Sequence, residues 1–337
     1  MSLGRRTTTA IALCVLVVVW AATGVCAAPK DERRPLRIAV VGDINSSYGT
    51  VGYSSHVTTA VGRIVDLRPD LVIGVGDLIA GQRHSPRLNR DQLEAMWDAF
   101  HRDVLHPLTA AGISFIPVAG NHDASEDPAF ALERTIFEEQ WRRHRPDVEI
   151  TNGEGYPFHY AFTVNNVLFV VLDATSVGPI STAQRAWVAD LLVAEGSEYR
   201  AQVVTGHLPI RAFTSGRETE ILGDNELENT LEKGGVGLYL SGHHHAFYPG
   251  YRAGFLQVSQ ACLGSGPRRL LGTTARSPRA ITLVEIGTDG TISVEALSGP
   301  DFTSPIDRAS LPESIRYGGV EVVRDDLAVG ANTRGQQ

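Results

Sequence analysis

Five short apolar runs in this chain each end in a glycine followed by residues that metals favour, and this recurrence constrains the fold more than any other feature. RIAVV (Arg37 to Val41) stops at Gly42 and Asp43, with Asn45 two residues on. DLVIGV (Asp70 to Val75) stops at Gly76 and Asp77, and ISFIPVA (Ile113 to Ala119) leads into Gly120, Asn121, His122 and Asp123. AQVVT (Ala201 to Thr205) leads into Gly206 and His207. VGLYL (Val236 to Leu240) leads into Ser241, Gly242, His243, His244 and His245. Continuous apolar runs of this length suit strands buried on both faces of a layered sheet. In such α/β or α+β folds ligands collect beyond the carboxyl ends of the strands, so all five clusters are expected at one edge.

Taken singly, an Asp after a strand is often a helix cap, an Asn a turn former and a His a satisfied core or surface residue. Taken together, carboxylates, an amide oxygen and imidazoles make a mixed nitrogen and oxygen donor set suited to zinc, manganese or iron. The glycines before them permit sharp exits and a close approach of backbone to ligand.

Between the runs the pattern is helical. Leu93, Met96, Trp97, Phe100, Val104 and Leu108 recur at helical spacing after Asn89 or Asp91 as a cap. Further helices are expected over His56 to Leu67, Pro128 to His144, after Ser181, and over Asp224 to Lys233. HYAFTVNNVLFVVL reads as a hairpin turning at Asn165 and Asn166. Arg145 to Pro157 reads as a polar loop, and two further strand pairs follow, around Phe255 to Val258 and across Asp289 and Gly290.

Arg5 and Arg6 precede an apolar run from Ala10 to about Val25, with small residues after it, the pattern of a secretory signal peptide over residues 1–27. The run is shorter than the ~20 residues of a membrane-spanning helix, so no stable membrane insertion is expected after cleavage. The expected address is secreted or periplasmic, with a membrane anchor only if the segment stays uncleaved. Cys14 and Cys26 leave with it, and Cys262 is read as a small buried residue. Loss of Arg5 and Arg6 takes the formal charge from −8 to −10, against nucleic acid or anionic membrane as a general partner. The main domain is expected over 36–297, with 298–337 a partly disordered extension on the surface.

At this point the chain resembles the calcineurin-like metallophosphoesterases, and more loosely the purple acid phosphatases. The resemblance rests on Gly42-Asp43-x-Asn45, Gly76-Asp77, Gly120-Asn121-His122-Asp123, Gly206-His207 and Gly242-His243-x-His245, in that order, from about Arg37 to Leu297. It implies a four-layer sandwich of two mixed β-sheets flanked by helices, holding two divalent or trivalent metal ions: manganese, zinc or iron. By position Asp77 bridges the two, Asp43, Asn45 and His245 complete the first site, and Asn121, His207 and His243 form the second. A hydroxide between the metals is the implied nucleophile on phosphorus. His122, helped by Asp123, contacts the transferring phosphoryl group or protonates the leaving oxygen, and His244 points away.

Two positions depart from the family. Its first motif reads Asp-x-His, where this chain has Asn45, a weaker ligand that predicts a labile first metal and a readily filled second. The purple acid phosphatase tyrosine, three residues beyond the second Asp, is Ala80 here, and Tyr48 and Tyr53 nearby are expected simply to pack. The implied activity is hydrolysis of a small phosphorylated substrate, a monoester or a diester. Two rivals are a degenerate one-metal member acting as a binding protein, and an exported interaction protein whose histidines sequester metal. Candidate pocket walls are the loops 46–55, 82–90, 208–223 and 264–279, the last carrying Arg268, Arg269, Arg276 and Arg279 as a seat for a second anionic group.

Overall fold

Each of the five apolar runs forms a strand. The computed structural model describes residues 34–264 and 266–328, together with Met1. The expected signal peptide lies outside these residues but for that methionine. In chain order, β1 (Leu36–Val41), α1 (Ser55–Leu67), β2 (Leu71–Gly74), α2 (Arg90–Phe100), α3 (His106–Ala110) and β3 (Ser114–Pro117) come first. They are followed by α4 (Asn121–Ala124), α5 (Ala131–Arg143), β4 (Glu149–Asn152), β5 (Tyr160–Val164) and β6 (Val167–Val171). Next come α6 (Thr182–Glu195), β7 (Ala201–Thr205), α7 (Asn225–Lys233), β8 (Leu238–Ser241), β9 (Tyr248–Arg252) and β10 (Phe255–Ser259). The chain closes with β11 (Ala280–Ile286), β12 (Ile292–Ser298), β13 (Ser304–Pro305), β14 (Ser314–Tyr317) and β15 (Val320–Arg324).

The strands form two mixed sheets flanked by helices. One has the order β13-β12-β11-β1-β2-β3 and the other β14-β15-β9-β10-β8-β7-β6-β5-β4. In the first, β1, β2 and β3 run parallel, as do β6, β7, β8 and β10 in the second. Strand β6 explains the layering. Its Val167, Phe169 and Val171 join the core shared with the first sheet, while Leu168 and Val170 face the opposite core under α6 and α7. Both faces are therefore covered, which is why the sequence shows an unbroken apolar run rather than alternation.

Helix α2 begins at Asn89, whose side chain accepts the Gln92 amide while Gln92 returns a bond to the Asn89 amide. Its apolar stripe packs as expected, with Leu93, Met96, Trp97 and Phe100 buried. Trp97 meets Phe137 and Trp141 of α5 edge-on, and Phe100 meets Phe115 of β3. A π-turn at His101–Leu105 joins α2 to α3. The β5–β6 turn is Asn165 and Asn166, both on left-handed backbone (φ 51° and 55°), the type I′ geometry that follows strand twist.

Two stretches differ from the sequence reading. The polar loop 145–157 contains β4, an exposed edge strand whose alternation is too weak to read. Beyond Ser298 the chain continues into β13, β14 and β15, and β15 extends the second sheet by pairing with β9. These strands are short and half-exposed, so they lack the apolar density of the inner ones.

Candidate metal centre

The carboxyl ends of β1, β2 and β3 in one sheet face those of β7 and β8 in the other. The expected single edge is thus shared by two sheets, three strands from one and two from the other. Backbone bonds tie the exits together: the Asp43 amide donates to Gly76 O (3.0 Å), and the Gly242 amide to His207 O (2.9 Å). Asp43, Asp77, His243 and His245 all sit on left-handed backbone, with φ of 48°, 56°, 62° and 54°. For non-glycine residues each such placement costs roughly 1–3 kcal/mol and persists only where the surroundings enforce it. Crowding makes two glycines obligatory. A Cβ on Gly120 would overlap the Asp77 amide nitrogen, and one on Gly76 would overlap the His207 ring.

Two triads of metal-ligand type result, Asp77 with His207 and His243, and Asp43 with Asp77 and His245. All members are buried, the ligand atoms within each triad lie within 4.8 Å of one another, and Asp77 belongs to both. Hydrogen bonds aim the imidazoles. His207 Nδ1 donates to Val75 O (2.8 Å), which turns Nε2 toward Asn121 Oδ1 (2.9 Å) and Asp77 Oδ1 (3.3 Å). Asn121 is held with its oxygen inward because its Nδ2 donates to Gln82 Oε1 (2.7 Å). His245 Nδ1 donates to Gly266 O (3.1 Å), placing Nε2 3.0 Å from Asp43 Oδ1. That buried carboxylate oxygen has no hydrogen-bond donor, whereas Oδ2 accepts the His243 amide (3.0 Å).

Acceptor atoms therefore converge here without enough protons to pair them, which is the environment a cation fits. The same crowding sets the charges of the cluster. Burial opposes ionisation of Asp77, yet His207 and His122 hold it well below the usual carboxylate range. Burial likewise opposes charge on His207, but Asp77 and Asp43 push it up to about 9. Burial, with His207 and Arg217 after it, keeps His243 far below its ordinary value, in the neutral form a ligand requires.

The remaining sequence candidates occupy distinct places. Asn45 is buried, and its backbone N–H donates to Asp77 O (3.2 Å). His122 Nδ1 donates to Gly81 O (3.1 Å), leaving Nε2 3.8 Å from Asp77 Oδ2, and the Tyr48 ring stacks on it at 5.0 Å. The Asp123 oxygens accept the amides of Leu78 (2.7 Å), Ile79 (2.8 Å) and Gly120 (3.1 Å), bracing the turn after Asp77. Burial, then Asp77, pushes its acid up to about 8 against the pull of those amides. His244 has both nitrogens engaged, accepting the Phe213 amide and donating to Glu220 O, both at 3.1 Å. Tyr53 donates to Leu78 O and Ala80 is buried, so neither supplies a ligand.

Two neighbours carried no sequence signal. Arg217 Nη1 and Glu220 Oε2 pair at 2.5 Å and lie 2.9 and 3.0 Å from His243 Nε2. Beside them opens a cavity of about 470 Å³ lined by His122, His245, Tyr48 and several arginines. Of the four candidate wall loops, residues from 46–55, 208–223 and 264–279 line it. Loop 82–90 contributes no lining residue, and Gln82 acts instead through Asn121.

Comparison with known proteins agrees with this arrangement. The calcineurin-like phosphoesterase family profile matches residues 36–247, from β1 to just past the histidines after β8. The chain belongs to this family. As a calcineurin-like phosphoesterase it is 26% identical over 236 residues to purple acid phosphatase 23 of Arabidopsis thaliana, covering 65% of this chain and 48% of that one. It spans less than half the length of the curated relatives it matches. Among solved structures its fold resembles the purple acid phosphatase PPD1 from yellow lupin seeds, with TM-score 0.60, 13% identity, and 81% and 53% of the two chains covered. A dimetal phosphatase from Danio rerio aligns with TM-score 0.54 and 15% identity, over 78% and 95% of the chains.

Proposed function

We propose that the chain is a metal-dependent hydrolase of phosphoester bonds, acting on a small phosphorylated substrate at a two-metal centre. The observation that carries this reading is the pair of buried ligand triads sharing Asp77. Asp43, Asn45, Asp77 and His245 would hold one ion, and Asp77, Asn121, His207 and His243 the other. With both bound, the chemistry supplied there is activation of water at neutral pH and neutralisation of phosphate charge in an in-line displacement. The chain's own residues do the rest. Gly81 O fixes the His122 ring, so that its Nε2 is turned to hydrogen-bond the phosphoryl group or exchange a proton with the leaving oxygen. Asp123 serves this indirectly by bracing Leu78 and Ile79 beside the Asp77 exit.

The purple acid phosphatase relatives support a phosphatase activity, and the signal-like start of the sequence supports an exported location. No helix among the described residues is long and apolar enough to cross a membrane. The deciding experiment is turnover of a chromogenic phosphomonoester and diester by protein reconstituted with manganese, zinc or iron. Metal-dependent hydrolysis of at least one is expected, and none across a broad ester panel would sink the reading. Asn45 and Ala80 favour one alternative, a one-metal member that binds rather than turns over. It predicts phosphate-ester binding without hydrolysis in the same panel.

A further inference from the structure

The cavity beside the metal centre has a one-sided charge. Arg217, Arg268, Arg269 and Arg276 line it opposite His122 and His245, and no carboxylate is among its described lining residues. Glu220, paired with Arg217, is the neighbouring acid. The arginines come from two loops that are stitched to each other rather than left mobile. Thr214 bridges Leu270, the Ser215 amide donates to Arg269 O (3.0 Å), and the Leu271 amide to Phe213 O (2.9 Å). Arg276 reaches back to Pro267 O (2.9 Å), and the Ser277 amide donates to Arg268 O (2.8 Å). Such a frame meets the ordering cost before any ligand arrives.

Two of these guanidinium groups carry unmet demand. The Nε atoms of Arg217 and Arg268 are buried and have no hydrogen-bond partner. For Arg268, burial first and the like charge of Arg217 second both weigh against its positive charge. A buried, unpaired donor is costly, and an anion with several oxygens relieves both the missing bond and the charge repulsion. With the scissile phosphate seated on the metal ions of the proposed centre, the arginines are left free for a second anionic group.

We propose that this cavity is a second anion subsite, and that the substrate carries, besides the scissile phosphate, another phosphate or a carboxylate gripped by Arg268 with Arg217, Arg269 and Arg276 around it. The proposal rests on the metal centre being the seat of the scissile phosphate. It narrows the substrate class from phosphoesters in general to those with a second anionic group within reach of the first.

The test is calorimetric binding of non-hydrolysable ligands to the manganese-loaded protein. Simple alkyl phosphonates are compared with α,ω-bisphosphonates and ω-phosphonocarboxylates of matched and increasing length. At least one two-anion ligand is expected to bind about tenfold or more tighter than its single-anion match, roughly 1.4 kcal/mol. A bisphosphonate preference assigns the second group as phosphoryl, and a phosphonocarboxylate preference assigns it as carboxylate. Arg268→Ala should remove most of that advantage, and Arg269→Ala, at an exposed position, part of it. No preference in the unmodified protein at any length overturns the proposal. So does an equal loss for both ligand classes in Arg268→Ala, which would assign the arginines to the scissile phosphate. Absence of turnover with every ester, alongside a persistent two-anion preference, would overturn the hydrolase reading and leave the subsite standing.

Discussion

His122 is fixed from two directions, by Gly81 O on its Nδ1 and by the Tyr48 ring on its face, yet it belongs to neither ligand triad. Its removal should therefore separate chemistry from metal binding. His122→Ala is expected to lower kcat by about 10²–10⁴-fold, the usual worth of a positioned acid, while elemental analysis finds metal content unchanged. A parallel loss of metal would make His122 structural instead. Asn45 is the converse case, proposed above as a ligand of one ion rather than a participant in the chemistry. Mild chelation of the loaded protein should strip one ion and leave one, and Asn45→His should retain both, since imidazole binds such metals more tightly than an amide oxygen. These ligand candidates were legible in the sequence because each follows an apolar run and a glycine. Arg217 and Glu220 were not, because only the folding of loop 208–223 over β8 brings them to His243.

At the level of elements, the inner strands and amphipathic helices could be read because burial on defined faces writes itself into spacing. Strand β4 and the strands after Ser298 could not, since short strands with a weakly covered face leave no such imprint. One turn of α4 directs the Asp123 carboxylate to the Leu78 and Ile79 amides, a contact that no spacing in the sequence announces. The π-turn between α2 and α3 gives an element-level prediction. It buries His101 against His144 (4.1 Å between rings), with His106, Asp98 and Arg143 nearby and Trp97 and Phe100 packed beside it. Burial, then His144 and His106, lowers His101 from 6.5 to about 4. The unfolded chain thus binds a proton that the fold refuses, so stability present above about pH 6.5 is lost as pH falls toward about 4. Thermal unfolding of His101→Phe should show a smaller drop in Tm across that window than the unmodified protein.

Across the whole molecule, the ring of loops around the centre is anchored by a buried ion cluster beneath it. Glu228 of α7 accepts from Arg211 of loop 208–223, Arg252 of β9 and Gln257 of β10 (2.7 Å), and Arg211 and Glu228 are almost fully buried. Removing that carboxylate leaves the buried Arg211 guanidinium without its counter-charge. Glu228→Gln should cost about 3–5 kcal/mol in denaturant unfolding, far above a surface pair, because breaking one side of a buried pair strands the other charge. The proposed dinuclear centre is narrower in origin, built where exits from two separate sheets share Asp77. Metal stoichiometry after reconstitution and desalting tests it most directly, measured on the unmodified protein and on Asp77→Asn. Two equivalents per chain, falling to one or none in Asp77→Asn with the fold retained, is the predicted result. Failure of the unmodified protein to hold stoichiometric metal, or two equivalents persisting in Asp77→Asn, would contradict it.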